Sequence, residues 1–311
     1  MAAETTADRS AVRARQLVRR RPPLELVPPT PGLSARWHTH DYPGSYCRWH
    51  YHPEHEIHLI QHGTGTSIVG DHVGRFGPGH VVLVGSNLPH HWISDLPDGE
   101  RIVERDVVLQ LHPDWLGACE RVLPELGSVR GVFERAARGI EFTGTTALEA
   151  AAELVAVGHS TGTRRLGHLL ALLTVLDEAP PDEARLLASP WTPALDGAQA
   201  SDLVDRTLTY IFSRVDGEVR LAEAAALVGM SESGFSRSFQ RASGQTFTDT
   251  VRRLRLTHAC QLLEQTDLPV AAVCRRVGYR NLSNFNRQFR AEHDLTPREY
   301  RRSRRSAAQR T

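Results

Sequence analysis

The sequence contains no lysine, since all 37 basic residues are arginine. This absence excludes any mechanism that needs a lysine nucleophile or a Schiff base. Long apolar runs are also missing: the longest, such as residues 169–173, fall far short of the ~20 residues that span a bilayer, so we expect no membrane segment. No apolar stretch follows the arginines near residue 20, which argues against a secretory signal.

Cysteine is scarce, and no two cysteines stand in C-x-x-C spacing. The four are Cys47, Cys119, Cys260 and Cys274. Because that spacing is typical of zinc sites and of thiol redox centres, its absence gives no support to either. We therefore expect structural, reduced thiols and a cytoplasmic protein.

The net charge is only +1, but the charge is segregated along the chain. Residues 1–21 carry +4, residues 22–200 carry −10 and residues 201–311 carry +7. A basic segment joined to an acidic remainder is typical of a polyanion-binding domain attached to a second domain. Every cationic contact with that polyanion must come from arginine, which can bind guanine or phosphate through two hydrogen bonds.

The length of 311 residues predicts about two domains. We predict a multidomain protein with an N-terminal all-β barrel, a helical connector and a C-terminal all-α domain. The predicted segments are a disordered lead-in (1–31), the barrel (32–112), the connector (113–178), a linker (179–201), the helical domain (202–305) and a tail (306–311).

The barrel and the connector are predicted from two different periodicities. Short apolar runs at 56–61, 65–69, 81–84 and 102–109, separated by Gly and Pro turns, are typical of an all-β barrel or sandwich. Leucine and alanine then recur at helical spacing over 145–178, with a break at Gly162 and Thr163, which predicts two amphipathic helices. Their apolar faces either cover the barrel or form a homodimer interface, and the sequence leaves both open.

Residues 221–252 and 270–302 repeat one another at an offset of 49, which becomes 50 after a longer turn. Each copy predicts a helix, a tight turn at Gly229 or Gly278 and a second helix, because glycine adopts positive φ without steric cost. Ser231 and Asn281 are the candidate N-caps of the second helices. Two such copies favour a duplicated helix-turn-helix over a plain helical bundle.

The second helix of each copy has a buried and an exposed face. Phe235 and Phe239, like Phe285 and Phe289, are four residues apart and share the inner face. The opposite faces carry side chains that suit base edges and phosphates. They are Ser233, Ser236, Arg237 and Gln240 in the first copy, and Ser283, Asn286, Arg287 and Arg290 in the second.

This region resembles the AraC family of bacterial transcription regulators. Residues 229–244 resemble the family's first helix-turn-helix, 253–263 its linking helix, and 277–290 with 295–301 its second half and end motif. Asp294 departs from the pattern, where the family usually has Gly. The resemblance implies double-stranded DNA as partner, with two recognition helices in successive major-groove segments. By position, the base-contact candidates are Ser233, Ser236, Arg237, Ser283, Asn286 and Arg287.

Eleven of the 16 histidines lie between His38 and His91. On a strand, His50 and His52 project from one face, which Glu56 and His58 share if the strand continues. Together with a third imidazole from His90, these groups suit one divalent Fe, Mn, Ni, Cu or Zn ion. The same groups also suit metal-free hydrogen bonding of a polyol or an acid, and the sequence does not decide between the two.

The spacing G-x5-H-x-H-x3-E-x6-G over residues 44–63 resembles the first motif of the cupin barrel, and residues 87–90 resemble its second motif more loosely. The resemblance implies the metal ligands His50, His52, Glu56 and His90. We predict an effector pocket formed by His50, His52, Glu56, His58 and His90. Many AraC-type regulators carry a cupin-like sensor, and most of these bind small organic effectors, often sugars, without metal.

The other histidines of this half are interpreted as surface or loop residues. They are His38, His40, His55, His62, His72 and His80, with His91 facing outward. The leading hypothesis is a transcription regulator, not an enzyme, controlled by a small effector in the barrel and acting on RNA polymerase. The alternatives are a metal-dependent cupin dioxygenase or isomerase fused to a DNA-binding module, and an architectural DNA binder with an inert dimerisation domain.

Overall fold

The computed structural model describes residues 6–18, 22–25, 27, 30, 32–44, 47–189, 203–204, 206–211, 213–243, 245–293 and 295–308. The chain divides into two units, Met1–Thr192 and Pro193–Thr311. The first unit is rich in sheet and the second is helical, which confirms the predicted fold class. Among the helices within the described ranges, none is long and apolar enough to cross a membrane.

The first unit contains nine strands and five α-helices in its described residues. The strands are β1 Arg36–Tyr42, β2 His55–Ile60, β3 Gly65–Val69, β4 His72–Phe76, β5 Val81–Val84, β6 His90–Ser94, β7 Ile102–Leu111, β8 Ile140–Phe142 and β9 Ala184–Leu186. The helices are α1 Thr6–Val18, α2 Trp115–Glu120, α3 Arg130–Arg135, α4 Gly144–His159 and α5 Gly162–Asp177.

Two antiparallel sheets enclose the interior of the first unit. The larger has the strand order β1-β7-β2-β5-β8-β9 and the smaller the order β4-β3-β6. Apolar side chains from both sheets, including Ile60, Val82 and Trp92, form a buried cluster between them. Alternate residues of the larger sheet point away from this interior and contribute instead to the core beneath α4 and α5.

The helices α4 and α5 cover the outer face of the larger sheet. Leu154 and Val157 of α4, with Leu172 and Leu173 of α5, are buried in one cluster with residues of β2, β5 and β7. The helical structure is interrupted between α4 and α5 at residues 160–161, close to the predicted position. Covering the sheet therefore accounts for these apolar faces, and the homodimer interface stays a prediction.

Helix α1 lies within the predicted disordered lead-in, so that prediction is wrong for residues 6–18. Ala14 packs with Trp49, Ile68 and Ile93 on the outer face of the smaller sheet. Ser10 Oγ lies 2.8 Å from Thr66 Oγ1 within this contact. The arginine-rich composition hid this helix, because its apolar stripe is narrow and gains stability only against the sheet.

The predicted linker is also wrong in part, since residues 184–186 form the edge strand β9 beside β8. The rest of the linker from residue 190 onward lies outside the described residues. The tail prediction is wrong at residues 306–308, because the last helix includes them. Both boundaries were predicted from composition. Composition does not show that β9 pairs with β8 or that the last helix continues to residue 308.

All regular secondary structure in the described residues of the second unit is helical. The helices are α6 at residues 206–211, α7 Leu221–Leu227, α8 Glu232–Ser243, α9 Phe247–Gln265, α10 Val270–Arg276, α11 Leu282–His293 and α12 Pro297–Ala308. The pairs α7–α8 and α10–α11 are the two predicted helix-turn-helix copies, joined by α9. Residue 294, where the sequence departs from the family pattern, lies outside the described residues.

The two copies agree in detail. Residues 231–240 and 281–290 have the same order of buried and exposed positions, and the four predicted inner phenylalanines are 0% exposed. Ser231 Oγ accepts from Gly234 N (3.3 Å), and Asn281 Oδ1 accepts from Asn284 N (2.9 Å). Both predicted N-caps are therefore confirmed.

Both turns end the preceding helix through a left-handed glycine. Gly229 has φ of 67° and Gly278 has φ of 79°. The next residue then donates back across the turn, from Met230 N to Ala225 O and from Tyr279 N to Cys274 O, each over 3.0 Å. This six-to-one hydrogen bond is the Schellman ending of a helix, and it sets the direction of the recognition helix that follows.

Gly278→Ala is expected to destabilise the second unit more than Gly229→Ala. Both substitutions place a Cβ on a left-handed residue, at a cost of about 1–2 kcal/mol. At Gly278 the Cβ would also lie 2.7 Å from Val215 O and 2.8 Å from Arg255 Cζ, whereas nothing lies within 4 Å of the corresponding atom at Gly229. Crowding of this kind adds about 1–3 kcal/mol.

Arg255 cannot move aside without loss, because its guanidinium donates to the carbonyls of Val215 (3.2 Å) and Gly217 (2.6 Å). Urea unfolding followed by far-ultraviolet circular dichroism measures the difference between the two variants. Equal free energies of unfolding for them would contradict the crowding argument.

Candidate functional site

The imidazoles of His50, His52 and His90, here called the imidazole trio, meet in the interior of the first unit. His50 N donates to His90 O over 3.3 Å and His90 N to His50 O over 2.9 Å, so the two residues pair through their backbones. The carbonyl of His52 accepts from Asn87 N (2.8 Å) and holds the loop before β6. One ring nitrogen from each imidazole lies within 4.8 Å of the others.

Each ring of the imidazole trio is oriented by a backbone carbonyl. Nδ1 faces such an oxygen in all three: His50 to Arg48 (2.5 Å), His52 to Glu54 (3.1 Å) and His90 to Leu88 (2.8 Å). Because a carbonyl oxygen can only accept, each Nδ1 carries a proton, and a neutral ring keeps a lone pair on Nε2. Metal-binding histidines are commonly fixed in this way.

Two buried carboxylates face these Nε2 atoms. Glu56 Oε2 lies 3.0 Å from His52 Nε2, and its Oε1 lies 3.6 Å from His90 Nε2. Glu25, which the sequence did not single out, places Oε2 3.2 Å from His50 Nε2. A lone pair on Nε2 and a carboxylate oxygen are both acceptors, so each contact needs a proton or a metal ion between the two atoms.

Burial determines which of these contacts a proton suits. Burial lowers the pKa of His50 and of His90 to about 3 each, so both rings are neutral near pH 7. Burial also disfavours a charge on His52, but the hydrogen bond and the charge of Glu56 outweigh it and raise the pKa to about 9. Without a metal, a proton suits the contact between His52 and Glu56, and a metal ion bound by both groups would displace that proton. The lone pairs of His50 and His90 suit a metal cation without the loss of a proton.

A second polar group, here called the Asp106 cluster, comprises Asp106, His40, His58 and Arg105. Asp106 is 0% exposed, with its oxygens 3.2 Å from His58 Nε2 and 3.1 Å from His40 Nδ1. Arg105 Nε donates to the same carboxylate over 2.9 Å. His58 also stacks on Trp92, with ring centroids 3.7 Å apart. His58 is therefore buried, but it contacts Asp106 and lies outside the imidazole trio, and its place in an effector pocket stays a prediction.

Several histidines interpreted as surface or loop residues have well-defined contacts. Of the six, His62 is exposed, while the others are half-buried: His38, His40, His55, His72 and His80. The ring of His55 lies against Phe133, and His80 Nε2 lies 3.2 Å from Glu141 Oε1. The partner residues lie on α3 and β8, far from these histidines in the sequence. Strand alternation around the histidines therefore could not predict the contacts.

His91 is a further correction, because it was predicted to face outward and is 3% exposed. It lies on β6 next to His90, so its side chain points to the opposite face of the smaller sheet. Helix α1 covers that face, and burial lowers the pKa of His91 well below its ordinary value. The prediction that His91 and His90 point to opposite faces of the strand is therefore confirmed. The sequence did not predict helix α1, which buries His91.

The candidate base-contacting residues lie on the recognition helices α8 and α11. Ser233 and Arg237 are exposed on α8, as are Ser283 and Arg287 on α11. The remaining two candidates, Ser236 and Asn286, are half-buried at equivalent positions of the two helices. Arg287 Nη2 donates to Asn284 Oδ1 over 2.8 Å, which orients its guanidinium along the exposed face. The structure thus places each set of three on one helix, and their contacts with bases stay a prediction.

An enclosed polar site in a sheet-rich unit, followed by two helix-turn-helix copies, defines a ligand-sensing DNA-binding protein. Two family models match the corresponding residues: an AraC-like ligand binding domain over 34–116 and a helix-turn-helix domain over 224–303. The chain belongs to the AraC family of transcription regulators and binds DNA through its helix-turn-helix region.

Relatives agree with this assignment, and a solved structure shares the fold. The transcriptional activator RhaR of Klebsiella pneumoniae is 24% identical over 271 residues, which are 86% of this chain and 92% of RhaR. The regulatory protein PocR of Salmonella typhimurium is 32% identical over 96 residues, which are 31% of this chain and only 32% of PocR. The crystal structure of an apo ToxT variant from Vibrio cholerae shares the fold, with a TM-score of 0.52 at 11% identity over 87% of this chain and 97% of ToxT.

The family assignment also bears on the competing functions. The relatives RhaR and RhaS are named as transcriptional activators, which is consistent with a regulator rather than an enzyme. This disfavours the fusion of a cupin dioxygenase or isomerase to a DNA-binding module. The match of residues 34–116 to a ligand-binding domain likewise disfavours an inert dimerisation domain.

Proposed function

We propose that one divalent transition metal ion and a small polar effector bind in the interior of the first unit and control DNA binding by the second. The observation that carries this proposal is the pair of neutral rings, His50 and His90, whose Nε2 lone pairs face carboxylates in a buried site. His90 Nε2 has no hydrogen-bond partner within the described part of the chain. Such acceptor-rich surroundings favour a cation.

The donor set fits Fe, Mn, Ni, Cu or Zn, because imidazole nitrogen and carboxylate oxygen suit borderline divalent cations. His50, His52, Glu56 and His90 would hold the ion. Nitrogen and oxygen ligands at about 2.1 Å from one metal lie about 3 Å apart. The separations of 3.0 Å and 3.6 Å between Glu56 and the rings are therefore close to those of a shared coordination sphere. The bound ion would supply a Lewis-acidic position for an oxygen atom of the effector.

His90→Ala is expected to lower the affinity for the metal by more than about 100-fold, since it removes one of three imidazole ligands. His91→Ala is the matched control, because His91 is equally buried on the same strand but points to the opposite face. Metal content by mass spectrometry and competition with a chelator measure the effect in the full chain.

The purified wild-type protein is expected to contain about one equivalent of metal. Less than ~0.1 equivalent of every transition metal in the wild type, together with unchanged behaviour of His50→Ala, would end the metal proposal. A loss of metal that is equal in His90→Ala and His91→Ala would point to general destabilisation of β6 and would likewise count against the assigned ligands.

The effector is proposed to be rich in hydroxyl groups, as a sugar is. Nδ1 of His38 and Nδ1 of His58 are buried and have no hydrogen-bond partner among the residues that the structure describes. Hydroxyl groups can donate to such nitrogens and accept from Gln110, which lies on the same interior face. Mapping genomic binding sites identifies the neighbouring genes, and compounds of their pathway are then tested for a change in DNA affinity. Unchanged affinity with each of them would contradict this choice of effector.

Effector binding can act only through different affinities for two states of the protein. We propose that one of these states contacts RNA polymerase in the cytoplasm, since the relative RhaR is named an activator. A homodimer is proposed as well, and exposed leucines such as Leu148 on α4 offer contact area. Transcription in vitro with and without effector tests the first point, and analytical ultracentrifugation of the full chain tests the second.

A further inference from the structure

The chain between α1 and β1 is docked beside the imidazole trio. Glu25 N donates to Tyr51 O over 2.7 Å, and Tyr51 N donates to Pro23 O over 3.2 Å. Leu24 forms a parallel bridge with Tyr51 and is 2% exposed. Tyr51 separates His50 from His52 in the sequence, so residues 23–25 run directly alongside the two histidines.

This docking buries the carboxylate of Glu25 against a candidate metal ligand. Glu25 is 4% exposed, and its Oε2 lies 3.2 Å from His50 Nε2. That oxygen has no hydrogen-bond partner within the described part of the chain. Because Nδ1 of His50 donates to Arg48 O, Nε2 is the ring atom that can bind a metal ion, and it faces the carboxylate of Glu25. A contact between these two buried atoms needs a proton or a metal ion between them.

We propose that Glu25 is a ligand of the same metal ion as the imidazole trio, so that metal binding fastens residues 22–25 to the first unit. This inference rests on the proposed metal site and extends it by one oxygen donor from a separate part of the chain. The separation of 3.2 Å from His50 Nε2 matches the distance of about 3 Å between neighbouring ligands on one ion.

The ion would then join three segments that are far apart in sequence: residues 22–25, residues 50–52 and the start of β6. Because Glu25 would be one of the ligands, the docking of residues 22–25 would depend on the bound metal ion. Metal sites contribute their binding free energy to the folded arrangement of the segments that they join. The state of residues 22–25 therefore reports on metal occupancy.

Glu25→Gln tests the proposal, because the amide keeps the size of the side chain and the backbone hydrogen bonds to Tyr51. Zn²⁺ affinity is measured in the full chain by competition with a chromophoric chelator. We expect a loss of at least about 10–100-fold relative to the wild type, because removing a ligand should cost no less than removing the outer-shell groups for which this range holds. Asp98→Asn is the control for the lost charge, since Asp98 is 98% exposed in its side chain, and its affinity should equal that of the wild type.

Hydrogen exchange of the wild type gives a second readout that needs no substitution. Zn²⁺ is expected to slow exchange of the amides of Glu25 and Tyr51, whose hydrogen bonds hold the segment in place. Unchanged exchange at these two amides, with Zn²⁺ bound, would overturn the inference.

The outcomes separate this inference from the proposed metal function. If His50→Ala abolishes Zn²⁺ binding while Glu25→Gln binds like the wild type, Glu25 is not a ligand and the metal site of the imidazole trio stands. If the wild type binds neither Zn²⁺ nor any other divalent transition metal, both proposals are overturned. If Glu25→Gln and His50→Ala are both weakened and Asp98→Asn is not, the assignment of Glu25 is supported.

Discussion

Replacing Arg237 and Arg287 together by alanine is expected to weaken specific DNA binding by about 2–6 kcal/mol, since each arginine of this kind contributes about 1–3 kcal/mol. The two residues occupy equivalent exposed positions on α8 and α11, the recognition helices of the two copies. Their guanidinium groups can each donate two hydrogen bonds to one guanine. Each single variant should lose about half of the effect and relax the preference at one base position.

Gel-shift titration of the full chain on its operator and on scrambled DNA measures both affinity and specificity. Arg214→Ala combined with Arg220→Ala is the matched control, because these arginines are exposed and paired with Glu223 and Glu218 outside the recognition helices. The control should lose far less specific affinity. If the test variant loses affinity equally for operator and scrambled DNA, with a weaker dependence on salt, Arg237 and Arg287 contact phosphates and the assignment to bases is wrong.

Asp106→Asn is expected to destabilise the first unit by about 3–5 kcal/mol, the usual effect of removing one partner from a buried ion pair. The substitution keeps the size of the side chain but removes the charge and turns one acceptor oxygen into an NH2 donor, so the loss reflects polar contacts and not packing. Arg105, His40 and His58 would lose their common carboxylate in a site that is 0% exposed at Asp106. Arg105 would keep its hydrogen bond to Trp92 O (2.9 Å), which does not neutralise its charge.

The carboxylate of Asp106 also predicts that the stability of the first unit depends on pH. Burial opposes ionisation of Asp106, but the electrostatic interactions and hydrogen bonds with His58 and His40 outweigh it and hold its pKa well below the usual range. The stabilisation is therefore fully present above the unfolded-state pKa of about 3.9 and is lost as the pH falls below that value toward the folded-state pKa. Asp106→Asn should be less sensitive to pH in this window than the wild type.

Tryptophan fluorescence during urea unfolding follows the first unit selectively, because the sequence has no tryptophan beyond residue 191. Asp98→Asn, in an exposed loop, is the control for the change in net charge. A free energy of unfolding within about 0.5 kcal/mol of the wild type for Asp106→Asn would show that the Asp106 cluster does not stabilise the first unit.

The DNA-binding half could be predicted from sequence almost completely. Two aligned copies repeat the turn glycine, the phenylalanine pair and the arginine, and each of these features acts through contacts within a few residues. Gly229 and Gly278 have the expected positive φ, and Ser231 and Asn281 cap the helices that follow them. Local spacing is sufficient there because a helix brings residues three and four apart onto one face.

The first unit could be predicted only in outline. Strand alternation indicated that His50 and His52 share a face, and the structure brings both to His90. It did not indicate Glu25, because nothing around residue 25 marks it as a partner of His50, which lies 25 residues later in the chain. Asp106 carries a weak signal as an acid within the apolar alternation of β7, but its partners come from β1 and β2.

The amino-acid sequence by itself determined that this chain pairs a histidine-rich β unit with a duplicated arginine-rich DNA-binding unit, and that it belongs with AraC-type regulators. Those conclusions depend on periodicity, turns and repeats, which are local properties of the chain. Only the tertiary structure decided which histidines have lone pairs that face carboxylates, which are tied to Asp106, and that residues 23–25 dock beside Tyr51. These contacts join residues dozens of positions apart, and the strand pairings that create them depend on burial summed over the whole unit.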